Sequence, residues 1–115
     1  MNFFDVTVSG TTLRGKDFQA PLTEKEQEQL ASYQGKKIVL GVRPEDITEG
    51  GSLSMNVFSN ENLGMNTLIH GHLGKERITA KLRGWKNYKE KDLVGISFSR
   101  KHFFDKETTN AIGRE

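Results

Sequence analysis

The sequence contains no cysteine among its 115 residues. Disulfide frameworks and thiolate nucleophiles are therefore excluded, and a reducing intracellular location is compatible with this composition. The sequence also lacks a long apolar run, so we expect no segment that spans a bilayer, and its N-terminus lacks the pattern of a signal peptide. A strong charge of one sign is missing as well, because 17 Lys and Arg oppose 15 Asp and Glu for a net charge of +2. This balance is not typical of a nucleic-acid binder or a membrane-surface protein.

Proline is scarce and glycine is frequent, at 2 and 12 residues, which predicts many turns between short elements. Alternation of apolar and polar residues predicts strands over residues 2–8, 11–14, 18–22, 38–43, 53–58, 65–73, 76–82 and 93–98. We predict a Gly-rich loop at 48–52, an interruption of the alternating strand pattern at 60–64, a polar loop at 84–92 and a helical turn at 102–105. Many short strands with frequent turns indicate an all-β barrel or sandwich, and we find no domain boundary.

One helix is predicted from residue 23 to about residue 33. Thr23 and Glu26 have the spacing of a capping box, in which the hydroxyl and the carboxylate bond the free backbone donors of the first turn. Gly35 follows as a left-handed cap. Because few of its residues are apolar, we expect this helix to lie on the surface or to cover an end of the sheet.

The strongest strand pattern lies within residues 35–47. It ends before Pro44, which cannot donate to a sheet ladder. Gly41 leaves one face of this strand open, and we expect a neighbouring backbone to approach there. The polar group Arg43, Glu45 and Asp46 follows just past the core. A local ion pair at Arg43 is the structural alternative to a functional role for this group.

Four motifs occur in order along the chain: Leu30 to Lys36, Gly-Val-Arg-Pro-Glu-Asp at 41–46, Glu-Asn-Leu-Gly at 61–64, and Phe-Asp-Lys-Glu-Thr at 104–108. Together they resemble the C-terminal regulatory domain, of the TOBE or OB-like type, in ATP-binding subunits of maltose and multiple-sugar ABC importers. Residues 1–4 look like the point where such subunits leave the ATPase domain. Thr109 stands where that family usually has glycine, which affects the shape of the last turn.

The resemblance implies an all-β, OB-like or TOBE barrel of short strands with one short helix near residues 23–34. It implies that residues 1–115 form a single regulatory domain and that the ATPase domain of the parent subunit is absent. ATP and Mg²⁺ then belong to the absent domain, so we expect no catalysis, cofactor or metal in this chain. The implied location is the cytoplasmic face of the cell membrane, through the transporter.

The resemblance further implies that the domain helps a second copy of the ATPase subunit to pair, receives a regulatory protein, and tunes ATP-driven sugar import through transmembrane permease subunits. We predict Arg43, Glu45, Asp46, Glu61 and Gly64 as regulatory or interface residues. Gly64 has a structural alternative, because a turn can require glycine at a positive φ.

Two other motifs fit ordinary structure better than chemistry. Residues 10–17 nearly match a phosphate-binding P-loop, but Asp17 replaces the hydroxyl residue and no helix follows, so we predict a β-hairpin turn. His70 and His72 share one face of a strand, but two ligands are short of the three or four that zinc takes from proteins. We therefore predict solvated strand histidines.

Nucleic-acid binding is the alternative to the interpretation as a transporter domain. Basic and aromatic residues alternate between residues 81 and 91, which is compatible with an OB-fold that stacks single-stranded nucleic acid. Glu90 and Asp92 dilute this charge, so we expect no nucleic-acid partner. The alternative function is a free-standing OB-fold binder of RNA or single-stranded DNA.

Overall fold

Antiparallel β-strands make up most of the computed structural model, which describes residues 1–113. The nine strands are β1 (Asn2–Ser9), β2 (Thr12–Arg14), β3 (Gln19–Pro21), β4 (Lys37–Val42), β5 (Ile47–Asn62), β6 (Asn66–Leu73), β7 (Glu76–Arg83), β8 (Leu93–Phe98) and β9 (His102–Asp105). One α-helix, α1 (Glu24–Gln29), and two short 3-10 helices, Ala31–Tyr33 and Pro44–Asp46, complete the described elements. The all-β class with one short helix is confirmed.

The strands form two sheets. One has five strands in the order β3-β2-β1-β4-β9, and the other has four strands in the order β7-β6-β5-β8. One continuous hydrophobic core lies between them, with the inward residues of β1 and β4 at its centre, among them Phe4, Val6, Ile38 and Leu40. The period of two along β1, β4 and the middle of β5 therefore marks the buried face of each strand correctly. Among residues 1–113, no helix is long and apolar enough to cross a membrane.

The predicted helix forms, but it is shorter than the pattern suggested. Thr23 caps it, with the Glu26 N–H donating to the Thr23 hydroxyl at 3.2 Å and the Thr23 N–H donating to the Glu26 carboxylate at 2.9 Å. The capping box is thus confirmed. The α-helix stops at Gln29 because Leu30, with φ −102° and ψ 12°, leaves the helical conformation, and a 3-10 turn follows. Leu30 itself is fully buried.

The predicted Gly-rich loop at residues 48–52 is wrong, because these residues lie inside the 16-residue strand β5. The first half of β5 pairs with β8 and the second half pairs with β6, with register shifts between Glu49 and Leu53 and between Val57 and Ser59. Gly51 serves the first irregularity, since a Cβ there would lie 2.0 Å from the Ile96 carbonyl oxygen. Gly51 therefore permits a close approach of β8 inside the strand, whereas Gly50 has open space beside it and adopts a φ of +91°.

The predicted helical turn at residues 102–105 is also wrong. These residues form β9, which pairs with β4 in the register Gly41 with His102 and Ile38 with Asp105. The free edge of β4 determines this outcome, because its backbone groups need partners that local propensity does not reveal. Beside Gly41, side chains rather than a backbone fill the space: a Cβ would lie 2.7 Å from Met1 Sδ and 3.0 Å from Phe104 Cε2.

Candidate functional site

The polar group after β4 is held by a 3-10 turn. Regular pairing stops at Val42, and Pro44 opens the turn Pro44–Asp46, in which the Asp46 N–H donates to the Arg43 carbonyl at 2.9 Å. The Asp46 carbonyl in turn accepts bonds from the Ser99 N–H at 2.8 Å and the Ser99 hydroxyl at 2.9 Å. Arg43 and Glu45 are exposed at this turn.

The structure does not bring Arg43 and Glu45 together in one site. Arg43 lines a cleft beside α1 and the start of β9, which we call the Arg43 cleft. Glu45 lines a second cleft, with Asn66, Lys81 and Arg83 from β6 and β7. Among residues 1–113 there is no ion pair at Arg43, Glu45 or Asp46. The group therefore offers two separate charged surfaces instead of a local ion pair.

Glu61 and Gly64 lie at the turn that joins β5 to β6. Gly64 has a φ of +91° and donates its N–H to the Asn62 side-chain oxygen at 2.7 Å. The turn therefore requires glycine there, which is the structural explanation for that motif residue. The exposed Glu61 carboxylate lies 3.6 Å from His70 Nε2.

An exposed apolar patch beside this turn is not apparent in the sequence. Leu63, Met65 and Trp85 are 50%, 80% and 68% exposed, and a bond from the Gly84 N–H to the Met65 carbonyl at 2.7 Å links the two turns that carry them. We call these three side chains the Trp85 patch. Exposed tryptophan and methionine beside fixed backbone are typical of contact surfaces.

Thr67 fixes the backbone on both sides of Trp85. Its fully buried hydroxyl donates to the Gly84 carbonyl at 2.8 Å and accepts from the Lys86 N–H at 3.1 Å. Sequence reasoning treated Thr67 as an ordinary strand residue. The sequence gives little indication of this role, because threonine is common in strands and the bonding partners of Thr67 follow 17 and 19 positions later.

Lys86 and Tyr88 of the basic and aromatic stretch are engaged in internal contacts. Lys86 Nζ lies 2.7 Å from Glu49, and the Tyr88 hydroxyl donates to the same carboxylate. Burial, together with that bond, raises the pKa of Tyr88 to about 12, while bonds from Lys86 and then Tyr88 lower the pKa of Glu49. Asn60 binds both backbone groups of Tyr88. Trp85 is thus left without a neighbouring exposed ring in this stretch, and nothing in the geometry favours nucleic-acid stacking.

The two strand histidines are partly exposed and pack on one aromatic ring. Phe58 contacts both, with ring centroids 6.3 Å from His70 and 5.4 Å from His72, and Arg77 lies over the same ring at 5.5 Å. His70 Nδ1 lies 3.2 Å from the Thr79 hydroxyl. Among residues 1–113, no group of three or more His, Asp or Glu is arranged to hold a metal ion.

The P-loop-like residues form hairpin turns, as predicted. Gly10 joins β1 to β2 at a φ of +62°, and the Gly15 N–H donates to the Phe18 carbonyl at 2.8 Å before β3. The Asp17 carboxylate accepts the Lys75 N–H at 3.0 Å, which ties this turn to the β6–β7 turn.

The last motif forms a turn organised by Asp105. Its Oδ1 accepts the N–H groups of Glu107 at 2.9 Å and Thr108 at 3.0 Å, and its Oδ2 accepts the Tyr33 hydroxyl at 2.9 Å. The bond from Thr108, followed by those from Tyr33 and Glu107, lowers the pKa of Asp105. Thr109 then adopts a φ of +61°, the conformation for which glycine is suited.

Comparison with known proteins gives one family and a consistent set of relatives. Residues 1–47 match the family model of the MalK OB fold domain. The chain is 31% identical over 97% of its length to the multiple sugar-binding transport ATP-binding protein MsmK of Streptococcus mutans. It is 33% identical to the xylose/arabinose import ATP-binding protein XacK of Haloferax volcanii and 30% identical to the trehalose/maltose import ATP-binding protein MalK of Thermococcus litoralis, each over 97% of the chain. It covers 33%, 32% and 34% of these proteins, respectively, which is a third of their length.

Proposed function

We propose that the chain is an OB-fold domain of the MalK type, similar to part of the ATP-binding subunits of sugar ABC importers, and that it is the regulatory, dimer-supporting domain of such a subunit. The observation that carries this proposal is the extent of the relationship. It includes 97% of this chain but a third of each relative. In the proposal, residues 1–115 form one domain, and the remainder of the parent subunit supplies the ATPase.

The domain acts in this proposal through contacts and not through chemistry. The parent subunit binds ATP and Mg²⁺ in its ATPase domain, pairs with a second copy, and energises carbohydrate import through transmembrane permease subunits at the cytoplasmic face of the membrane. A contact of this domain, with the second copy or with a regulatory protein, favours one arrangement of the ATPase pair over another. It shifts that equilibrium only by its differential affinity for the two arrangements.

The exposed charges and the Trp85 patch supply surfaces for these contacts. Arg43 and Glu45 face different clefts, so each is available to a different neighbour. Rim charges of this kind set specificity and association rate more than affinity. The Trp85 patch lies beside the turn that carries Gly64 and supplies apolar area of the sort that anchors an interface.

The test uses a full-length ATP-binding subunit that contains this domain, assembled with its membrane partners. We expect Arg43→Ala and Glu45→Ala, singly and together, to leave sugar-stimulated ATP hydrolysis in place while changing subunit pairing or the response to a regulator. Lys75→Ala is the matched control, because Lys75 is exposed on the β6–β7 turn and lines neither of these clefts. Loss of hydrolysis in a folded, assembled variant would show that the division between regulator and ATPase is wrong. Variants indistinguishable from Lys75→Ala would remove both residues from the interface.

A further inference from the structure

The Arg43 cleft is a walled groove of about 800 Å³. One wall is α1, and the other is the β8–β9 turn with the start of β9. Residues 111–113 close one end, where the Ile112 N–H donates to the Phe103 carbonyl at 2.8 Å and the Gln29 side-chain amide donates to the Gly113 carbonyl at 3.3 Å. A groove of this volume accommodates a ligand of several residues and is much larger than one small ion requires.

The charges on this groove are strongly one-sided. Four cationic side chains line it, together with one imidazole and one carboxylate: Lys25, Arg43, Arg100, Lys101, His102 and Glu26. The carboxylate is already satisfied, because Glu26 binds Lys101 Nζ at 3.1 Å and accepts the Thr23 N–H at 2.9 Å. Among residues 1–113 the other three cations make no ion pair, so the groove presents an uncompensated positive surface.

The floor of the groove is partly apolar and contains a polar atom without a partner. Phe103, Phe104 and Ile112 contribute apolar surface. His102 Nε2 is buried and has no hydrogen-bond partner in the described part of the chain. Buried polar atoms of this sort usually have a partner, so this atom marks an incomplete hydrogen-bonding environment beside the groove.

We propose that the Arg43 cleft binds an acidic peptide segment of a partner protein, in which carboxylates flank an apolar side chain. The carboxylates meet Lys25, Arg43 and Arg100, where the arginine forks allow bidentate pairing, and the apolar side chain packs against the partly exposed Phe104 and Ile112. Charge complementarity disfavours a basic partner. Single-stranded nucleic acid is disfavoured because Phe104 is the one partly exposed phenyl ring among the lining residues, whereas successive bases stack on several rings.

This inference names the chemistry of the partner in the proposed function, but it is tested on the 115-residue chain alone. A random-peptide phage library is selected on the immobilised chain, and the two most enriched peptides are synthesised with a fluorescent label. We expect enriched peptides with at least two carboxylates around an aliphatic or aromatic residue. Arg43→Ala and Arg100→Ala should each weaken their binding by about tenfold or more, as expected for losing a charge-assisted pair. Lys75→Ala, in which the lost cation lies outside the groove, should stay within about twofold.

A second readout separates the groove from general charge attraction. Peptide binding should shift the imidazole resonances of His102 and leave those of His70 and His72 unchanged. Arg43→Lys should recover part of the affinity, because it restores the charge without the bidentate fork. Melting temperatures confirm that each variant is folded.

Four results would overturn the proposal. They are a selection with no acidic consensus, equal losses in Arg43→Ala and Lys75→Ala, full competition by a single-stranded oligonucleotide, and occupation of the cleft by inorganic pyrophosphate with no peptide enriched. Peptide binding without any effect of the same variants on transport would leave this inference standing and count against the proposed function.

Discussion

Replacing Thr67 by valine is expected to destabilise the domain through two lost hydrogen bonds. Valine keeps the shape of the side chain, but the Gly84 carbonyl and the Lys86 N–H lose the hydroxyl that binds both of them. A buried group left without its partner costs about 1–3 kcal/mol. Gly84 and Lys86 are only partly buried, so water replaces some of the loss, and we expect a total of about 1–3 kcal/mol. At about 4 °C per kcal/mol for a domain of this size, the melting temperature should fall by about 4–12 °C.

The assay has a built-in local reporter, because Trp85 is the one tryptophan of the sequence and lies between Gly84 and Lys86. Urea unfolding gives the free energy of unfolding, and the anisotropy decay of Trp85 reports the freedom of its loop, which should increase. Thr48→Val is the matched control, because the exposed Thr48 hydroxyl bonds to the Ser97 hydroxyl and its loss leaves no buried group unpaired. We expect that variant to stay within about 0.5 kcal/mol of the parent chain. Equal effects of the two substitutions, with an unchanged Trp85 signal, would refute the assignment of this role to Thr67.

Three further substitutions test other positions. Gly41→Val should cost about 1–3 kcal/mol by overpacking against Met1 and Phe104, although valine is the better strand former; an equal or higher melting temperature would contradict this. Thr109→Gly should stabilise the chain by about 0.5–1 kcal/mol, since it relieves a φ of +61° at the last turn, and a lower stability in urea would count against that strain. The pKa of Tyr88 is raised from 10.0 to about 12, so the stability it contributes is present below pH 10 and is lost as the pH rises through 12. Glu49→Gln should move the titration of the Tyr88 phenol to lower pH, as measured by ultraviolet absorbance with Tyr88→Phe as the assignment control. An unmoved titration would exclude Glu49 as a cause of the raised pKa.

Local signals in the sequence predicted the elements whose causes are local. The period of two located the inner faces of β1, β4 and the middle of β5, and the spacing of Thr23 and Glu26 located the start of α1. The family resemblance, carried by four motifs, is confirmed by the match to the MalK OB fold domain and by the relatives. The strand faces and the helix start depend on residues a few positions apart. The family resemblance depends on short motifs that are visible in the sequence itself.

The errors arose where distant residues decide the structure. Gly50 and Gly51 indicated a loop, but both lie inside β5, where Gly51 allows the backbone of β8 to approach. Residues 102–105 became a strand because β4 needed a partner at its second edge. The same limit applies to the candidate site. Arg43 and Glu45 are two positions apart, yet the turn at Pro44 directs them into different clefts. The Trp85 patch, in contrast, combines side chains from two turns about twenty residues apart, which the pairing of strands brings together.

The pairing of β9 with β4 has a consequence for the order in which the chain folds. During synthesis β1 and β4 emerge early and can pair, but the strand that covers the other edge of β4 is the last one of the domain to leave the ribosome. Until then β4 presents unpaired backbone groups, the kind of edge that recruits other chains. Closing this contact also requires pairing between residues about 60 positions apart, which is a slow step. A nascent chain stalled before residue 102 should therefore be prone to aggregation and to capture by chaperones, whereas the completed chain is protected.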